Sequence, residues 1–417
     1  MMMVPSAFKR HSCATHERMC GLGEFILNTY PICNLVSASL PGVKTFGVQG
    51  RYMRIVGCMR GVIVVLAIIG LTACGGGSGD GGTPAGTYTK FAYVANYGNA
   101  SVSAYGIHPD TGALHSVGSM ASGNLPLSVT TDAAGKFAYV ANNGSDSVSA
   151  YSIDGATGAL ASLGADIAAG TAPNYVAVHP SGSFLYVPNN GSNNVSAYRI
   201  DETGVLTPVA GSPFAAGSCP TTVGMDPLGK FAYVTNGCSA NVSVYSINPT
   251  TGVLSQIAGS PYASGAVAQS VVISPSGNFA YVTNATVARV TVYAINPSTG
   301  ALSQIAGSPY ATGISPTSIT IDATGKFAYV ANAGSGSISA FSVDATTGAL
   351  TNVGMVAAGA SPGSISVDAS SKYVYVANYG SNSVMTFSMD STTGALTLVD
   401  MVATGANPAS IFTLRGY

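Results

Sequence analysis

The chain has 417 residues, and its 15 Lys and Arg against 16 Asp and Glu give a net charge of −1. Only 7% of the residues are charged, which excludes a disordered polyelectrolyte and a nucleic-acid-binding protein with a basic surface. The chain has no Trp, which counts against a WD-type propeller. Val, Ile, Tyr and Thr are plentiful while helix-forming residues are scarce, so the composition predicts an all-β fold.

The first 74 residues differ from the rest, with 7 basic residues, 2 acidic residues and five of the seven Cys. A basic stretch at 53–60 precedes the apolar run Val62–Ile69, which is too short to cross a bilayer. This order is typical of an export signal. The ending Leu71–Cys74 resembles the lipobox of bacterial lipoproteins, which implies lipidation of Cys74 and a periplasmic or cell-surface location. A buried helix is the alternative, but no second amphipathic element lies nearby.

These features divide the chain into four parts. We interpret residues 53–74 as a lipoprotein signal peptide. An export signal should open a chain, so residues 1–52 are interpreted as an upstream extension from a start codon assigned too early. Residues 75–87 form a Gly-rich tether, whose match to G-x-G-x-x-G has no strand before it and no helix after it. Dinucleotide binding is therefore excluded there, and the folded domain is expected over 88–417.

A six-residue motif, Phe-Ala-Tyr-Val-Ala-Asn in its first copy, occurs seven times at intervals of 46 to 48 residues. Such a period indicates a repeat architecture. The copies begin at Phe91, Phe137, Phe184, Phe231, Phe279, Phe327 and Tyr373.

Each period contains four short β-type runs, which we name strands A to D in chain order. Turn-forming residues join A to B, and a Thr-Gly pair joins C to D in every copy. Four antiparallel strands repeated seven times predict a seven-bladed β-propeller. The first copy lacks strand A, whereas the end of the chain, Pro408–Leu414, has the strand A pattern. We therefore expect the C-terminal strand to close the ring and cover an open sheet edge.

The repeat is similar to a known family. Tyr233–Asn236 and Tyr281–Asn284 both read Tyr-Val-Thr-Asn, the tetrapeptide of the YVTN propeller repeats. Residues 88–417 resemble the seven-bladed lactonase family, whose namesake activity is 6-phosphogluconolactonase. The resemblance implies a possible hydrolase of a sugar lactone or a similar small ester ring. Fold alone does not fix function, because related propellers include binding proteins.

A lactone hydrolase needs a general base and donors for the oxyanion. The repeat region has one Glu, Glu202, which lies in a C–D turn, and three His. His179 and His108 fall at turns, and His115 begins an outer strand. No acid–base constellation is apparent from these positions, and we expect no metal and no cofactor.

An Asn follows strand B in every copy. These seven side chains are interpreted as caps of the B–C turn rather than as a ligand-binding ring, because a role needed once would not be repeated seven times. They are Asn96, Asn142, Asn189, Asn236, Asn284, Asn332 and Asn378.

Departures from the repeat are the remaining candidates for a site. Larger polar or aromatic groups replace small ones on the face that carries the B–C and D–A connections, which we call the top face. The predicted ligand-binding residues are Asn174, Tyr175, Gln269 and Arg289, with Tyr97 and Tyr379 at the rim. Local loop packing is the alternative for each. Arg289 would be the basic contact for an anionic ligand.

Cys219 and Cys238 remain after the signal peptide and its lipidated Cys are set aside. They flank the A–B hairpin of one blade. If Asp226 opposes Phe231, the same register places the two Cys directly opposite each other, which predicts a disulfide.

Two functions remain open. One is an envelope-anchored lactonase-type hydrolase, and the other is a non-enzymatic propeller that binds a ligand or an envelope protein. A structural or adhesive surface propeller is a third possibility. We expect a monomer, a small polar or anionic ligand, no nucleic acid, and membrane contact through the lipid anchor alone.

Overall fold

The computed structural model describes residues 88 and 90–414, together with the backbone of three short strands that precede them. Those three strands, Val36–Leu40, Val43–Val48 and Arg51–Val56, form a separate antiparallel sheet in that order. The predicted signal peptide begins within the last of them. Its remainder, with Cys74 and the 75–87 tether, lies outside the described residues, so the export signal stays a prediction.

Residues 91–413 form seven antiparallel sheets of the same strand order, which confirms the all-β, seven-bladed propeller. Blade 1 contains the first copy of the repeat, and the numbering follows the chain. Beyond the strands, one 3-10 turn at Tyr97–Asn99 is present. No helix of the described residues is long and apolar enough to span a membrane.

The strands of each blade run A to D from the channel outward. Strands A of blades 1 to 7 are Pro408–Thr413, Pro126–Thr131, Ala177–Val178, Pro220–Met225, Ala268–Ile273, Pro316–Ile321 and Pro362–Val367. Strands B are Phe91–Asn96, Phe137–Asn142, Phe184–Asn189, Phe231–Asn236, Phe279–Asn284, Phe327–Asn332 and Tyr373–Asn378. Strands C are Ser101–Ile107, Ser147–Ile153, Asn194–Ile200, Asn241–Ile247, Arg289–Ile295, Ser337–Val343 and Ser383–Met389.

Strand D has two forms. It is continuous in blades 1, 6 and 7, at Leu114–Ala121, Leu350–Ala357 and Leu396–Ala403. It is split in blades 2 to 5, at Leu160–Ser162 with Ile167–Ala168, Leu206–Pro208 with Phe214–Ala215, Leu254–Gln256 with Tyr262–Ala263, and Leu302–Gln304 with Tyr310–Ala311.

The C-terminal strand closes the ring as expected. Pro408–Thr413 pairs with Phe91–Asn96, and Ile411 lies opposite Val94. Ile411 is 4% exposed, and Phe412 and Leu414 pack against the core between blades 1 and 2. The first blade is therefore assembled from the two ends of the repeat region.

The repeated Tyr and the repeated Thr-Gly pair contact each other across the blade boundary. In six blades the strand B Tyr hydroxyl donates to a glycine carbonyl in the C–D turn of the next blade, at 2.9 to 3.1 Å. The pairs are Tyr93–Gly158, Tyr139–Gly204, Tyr186–Gly252, Tyr281–Gly348, Tyr329–Gly394 and Tyr375–Gly112. The Gly158 backbone has φ +77°, and the Phe91 ring covers it so closely that a side chain there would clash.

Strand C adds a second set of bonds between blades. The Tyr151 hydroxyl donates to the carbonyl of Ala121 in the preceding blade, and Tyr293 donates in the same way to Ala263. Burial raises the pKa of both tyrosines to about 12. These side chains are therefore neutral donors over the whole physiological pH range.

Candidate functional site

The seven inner strands enclose a central channel of about 410 Å³. Strand A pairs with strand B along one edge only. Since the Asp132 amide donates to the Phe137 carbonyl, the alternation of an antiparallel ladder turns the Val129 N–H to the opposite edge, toward the channel. The channel wall is thus built from unpaired strand edges together with the side chains that flank them.

A one-residue bulge lies near the top-face end of strand A in six blades. Such a bulge redirects the side chain of its extra residue. In five blades this extra residue lines the channel: Leu127, Gln269, Thr317, Gly363 and Ala409. Gln269 is therefore the largest polar side chain that a bulge presents to the channel.

A ring of hydroxyl groups caps many of the inward-facing amides. The third residue of strand A, usually Ser, accepts a hydrogen bond from an N–H of strand A in the next blade, at 3.1 to 3.4 Å. The pairs are Ser410–Val129, Ser128–Val176, Thr222–Val271, Ser318–Ile365 and Ser364–Ile411. These five bonds satisfy backbone donors that the edge would otherwise leave unpaired. Among the described residues, two of the seven sectors lack such a bond: Val223 opposite Tyr175, and Ile319 opposite Ser270.

Blade 3 interrupts this ring. Tyr175 occupies the position of the capping Ser, and its hydroxyl stands at the far end of an aromatic ring rather than on Cβ. The strand itself is irregular here, with an isolated bridge at Pro173 and regular pairing only at Ala177–Val178. No hydroxyl equivalent to Ser128 therefore caps the N–H of Val223 in blade 4.

Two amide side chains lie on the same side of the channel. Asn174 donates through Nδ2 to the Thr221 carbonyl at 3.2 Å, which leaves its Oδ1 without a partner among the described residues. Gln269 is half-buried, and its amide has no hydrogen bond within the part of the chain that the structure describes. The structure thus brings Asn174, Tyr175 and Gln269 to one channel wall.

Arg289 is not part of this wall. It begins strand C of blade 5, two strands outward from the channel, and its exposed guanidinium donates to the Pro309 carbonyl at 3.4 Å. Arg289 was expected over the channel, and the structure places it outside the channel lining instead. The repeat alignment identifies the face on which a residue lies, but not its distance from the axis.

Tyr97 and Tyr379 meet at the boundary between blades 1 and 7. Their ring centroids are 5.9 Å apart at an interplanar angle of 55°. Both are half-buried, and neither lines the channel. They form a tilted aromatic pair on the top face, outside the wall formed by blades 3 to 5.

The bottom end of the channel carries Asp132 and His179. Asp132 accepts the Lys136 and Phe137 amides through Oδ1, while Oδ2 has no partner among the described residues. His179 is 5% exposed, and its ring nitrogens contact the Ser181 hydroxyl and the Gly229 carbonyl, both at 2.8 Å. Asp132 therefore supplies a carboxylate oxygen to the channel, whereas His179 is held in the A–B turns.

The comparison with known families decides the classification. The model described as a lactonase with a seven-bladed β-propeller matches residues 86–178, 168–363 and 354–413. The chain belongs to this family.

Solved structures support the fold of this lactonase-family propeller. A candidate 6-phosphogluconolactonase from Bacteroides uniformis is 20% identical, with a TM-score of 0.71 over 78% of this chain and 99% of that one. A second from Bacteroides fragilis is 22% identical, with a TM-score of 0.70 over 79% and 99%. A periplasmic gluconolactonase from Pseudomonas aeruginosa is 20% identical, with a TM-score of 0.68 over 78% and 98%. A search of curated proteins finds no match.

The channel wall of this family member is rich in uncharged polar groups and has no Lys or Arg among its described residues. Its lining contains Ser, Thr, Asn and Gln side chains. No group of three or more His, Cys, Asp or Glu that could hold a metal occurs in the described part of the chain. The chemistry available is hydrogen bonding, with Asp132 as the one carboxylate in the lining.

The other sequence candidates lie elsewhere. Glu202 is exposed in a C–D turn. His108 is half-buried at the start of the C–D turn of blade 1, and His115 is exposed in the strand D that follows it. The seven Asn that follow strand B are at most 1% exposed, and six donate through Nδ2 to a strand C hydroxyl at 2.8 to 3.0 Å. This burial favours the structural interpretation over a ring of ligand contacts.

Cys219 and Cys238 are joined by a disulfide, with Cα atoms 5.3 Å apart. The bond lies on the top face, between the D–A loop and the B–C turn of blade 4. The register differs from the expected one, because the bulge after Pro220 shifts the pairing by one residue. The Gly237 amide, not that of Cys238, donates to the Cys219 carbonyl. The two side chains still lie within bonding reach.

Proposed function

We propose that this protein hydrolyses an unphosphorylated sugar lactone held in the central channel. The observation that carries the proposal is the hydroxyl- and amide-rich lining, which has one carboxylate and no Lys or Arg in the described residues. A phosphorylated substrate would favour Arg or Lys for charge-assisted hydrogen bonds. The hydroxyl groups of a sugar lactone match a wall that offers both donors and acceptors.

Hydrolysis requires water to add to the lactone carbonyl carbon. We assign Asp132 as the base: it takes a proton from the attacking water as the C–O bond to the carbonyl carbon forms. The ring C–O bond then breaks, and the protonated Asp132 returns this proton to the ring oxygen to give the hydroxy acid. Oδ2 of Asp132 accepts no hydrogen bond among the described residues, and Ala134, two positions on, has no hydroxyl to offer. At that position in blades 6 and 7, the hydroxyl groups of Thr324 and Ser370 donate to the second oxygen of Asp322 and Asp368.

A second part of the proposal concerns where the protein lies in the cell. We propose an exported lipoprotein anchored through Cys74, since the lipobox resemblance and the disulfide both suit an oxidising compartment outside the cytoplasm. Replacing Cys74→Ala in the producing cell should abolish incorporation of labelled fatty acid. Labelling that persists in this variant would refute the anchor.

The test of catalysis is a panel of aldonolactones with and without a 6-phosphate, corrected for spontaneous hydrolysis. We expect turnover of the unphosphorylated lactones, and a fall in kcat of about a hundredfold for Asp132→Asn with KM little changed. Asp322→Asn is the matched control, because Asp322 has the same turn position in blade 6, does not line the channel and has both oxygens bonded. Preference for the phosphorylated lactones would contradict the proposal.

A non-catalytic binding propeller is the second candidate. Both ring nitrogens of His179 are hydrogen-bonded within the protein. Asp132 therefore has no second free acid or base beside it in the described lining, which favours binding without catalysis. Saturable binding of the lactones without turnover in the same panel would select this function.

A further inference from the structure

The interruption of the hydroxyl ring at blade 3 has a chemical consequence. In the blade 2 to blade 3 sector, Ser128 accepts the Val176 amide at 3.3 Å. In the next sector Tyr175 replaces that Ser, so the Val223 amide faces the channel without an equivalent acceptor. Val223 is among the residues that line the channel.

We infer that Tyr175 creates a ligand subsite on the wall of blades 3 to 5, in which the Val223 N–H donates to a hydroxyl or ring oxygen of the bound ligand. The ligand class rests on the proposed function. A buried donor without a partner is costly, so water or a ligand oxygen must meet it. In the sectors with a capping hydroxyl, that role is already filled by the protein.

The orientation of the Val223 amide follows from the ladder of its own blade. The Asp226 amide donates to the Phe231 carbonyl, so Gly224 is also in a hydrogen-bonded pair and Val223 is not. Its N–H therefore points away from strand B, toward the channel. The edge amide of Val223 is thus presented by strand geometry rather than by a mobile side chain.

Two side chains complete the subsite. Asn174 directs Nδ2 to the Thr221 carbonyl and keeps Oδ1 as an available acceptor, and the Gln269 amide offers a donor and an acceptor. A backbone donor between two amides suits adjacent hydroxyl groups of a neutral polyol, each of which donates and accepts. It does not favour an anion, since no positive charge lies in the described lining.

This placement orients the substrate. The subsite lies on the top half of the channel, whereas Asp132 lies three strand positions further toward the bottom, about 10 Å along the axis. The hydroxyl-bearing end of the lactone would therefore contact blades 3 to 5, with the carbonyl carbon toward Asp132. Tyr175 therefore acts as a specificity-determining residue, since it replaces the hydroxyl that would otherwise accept the Val223 N–H.

The test compares two substitutions that differ by one hydroxyl group. Tyr175→Ser restores the capping group for Val223, whereas Tyr175→Ala removes the same ring without supplying a cap. Binding of D-glucono-1,5-lactam, which is not cleaved as a lactone, is measured by calorimetry. We expect Tyr175→Ser to bind about tenfold more weakly than Tyr175→Ala. Ser364→Ala is the control on the opposite wall, since it uncaps Ile411 beside Gly363 and should leave affinity within about twofold.

Amide hydrogen exchange provides a readout without ligand. The Val223 amide should exchange at least about tenfold more slowly in Tyr175→Ser than in Tyr175→Ala. Equal affinities of the two variants, or equal exchange at Val223, would overturn the subsite while leaving the proposed function intact. Absence of lactam binding by the unsubstituted protein would overturn both.

Discussion

Two walls of the same channel are built from one repeat, yet they differ in what they leave available to a ligand. On the side of blades 7 and 1, the residues at the bulges are Gly363 and Ala409, and Ser364 caps the next amide at 3.2 Å. On the side of blades 3 to 5, Asn174 and Gln269 stand at the corresponding positions. The first wall caps its channel-facing amide at Ile411, whereas the second caps Val271 through Thr222 but not Val223. In a repeat protein, function is best sought where a changed residue removes a bond that most other copies make.

Removal of the closing strand, which is part of the wall formed by blades 7 and 1, should have the largest effect on stability. A chain ending at Asn407 loses the inner strand of blade 1 and exposes the edge of Phe91–Asn96. Burial of Ile411, Phe412 and Leu414 contributes roughly 1.5–3 kcal/mol each, a large part of an ordinary domain's margin of about 5–15 kcal/mol. We expect aggregation through the open edge. A monomer with an unchanged melting temperature, measured by scattering and calorimetry, would contradict the closure.

High pH should destabilise both walls together, because buried tyrosine hydroxyls form hydrogen bonds between adjacent blades all around the ring. Their folded pKa is raised by burial, to about 12 for Tyr151 and Tyr293, above the value near 10 of the unfolded chain. The unfolded state therefore ionises first, so stability is full below about pH 10 and is lost as pH rises toward 12. Chemical denaturation between pH 7 and 12 measures this, and a flat profile above pH 10 would refute it.

Loss of the disulfide should affect the ligand-binding side selectively. Cys219 and Cys238 enclose a separation of 19 residues in blade 4, next to Thr221 and the Val223 edge. Replacing both with Ser should lower the free energy of unfolding by about 2–4 kcal/mol. Amide exchange should increase around 218–222 and not around Gly363. The unsubstituted protein in reductant should match the double variant, which itself should not respond to reductant.

The smallest expected effect is a difference in the free energy of unfolding between two variants, each of which lacks the hydroxyl of one strand B tyrosine. Six of the strand B tyrosines donate to a glycine carbonyl, but the buried Tyr233 hydroxyl has no partner among the described residues. Tyr186→Phe should therefore cost about 1 kcal/mol, while Tyr233→Phe should be neutral or slightly stabilising. Denaturant titration of the two variants checks this difference, and equal losses would show that both hydroxyls are satisfied.

Much of the fold follows from the sequence, because the 46 to 48-residue period and its turn residues repeat in every blade. The closing strand is predictable for the same reason: Pro408–Thr413 repeats a pattern seen six times. Asn174, Tyr175 and Gln269 can be found as departures from that pattern. Arg289 shows the limit, since a departure reveals the face and not the radial position. The capping of Val176 by Ser128 joins two blades, so no single copy of the repeat reveals it.

The most direct measurement of the central claim is a crystal structure with D-glucono-1,5-lactam. We expect the lactam in the channel, with hydroxyl groups at hydrogen-bond distance from the Gln269 amide and the Val223 nitrogen. Its carbonyl should point toward Asp132. A lactam bound at the outer surface near Arg289, or against the wall of Gly363 and Ala409, would contradict the account.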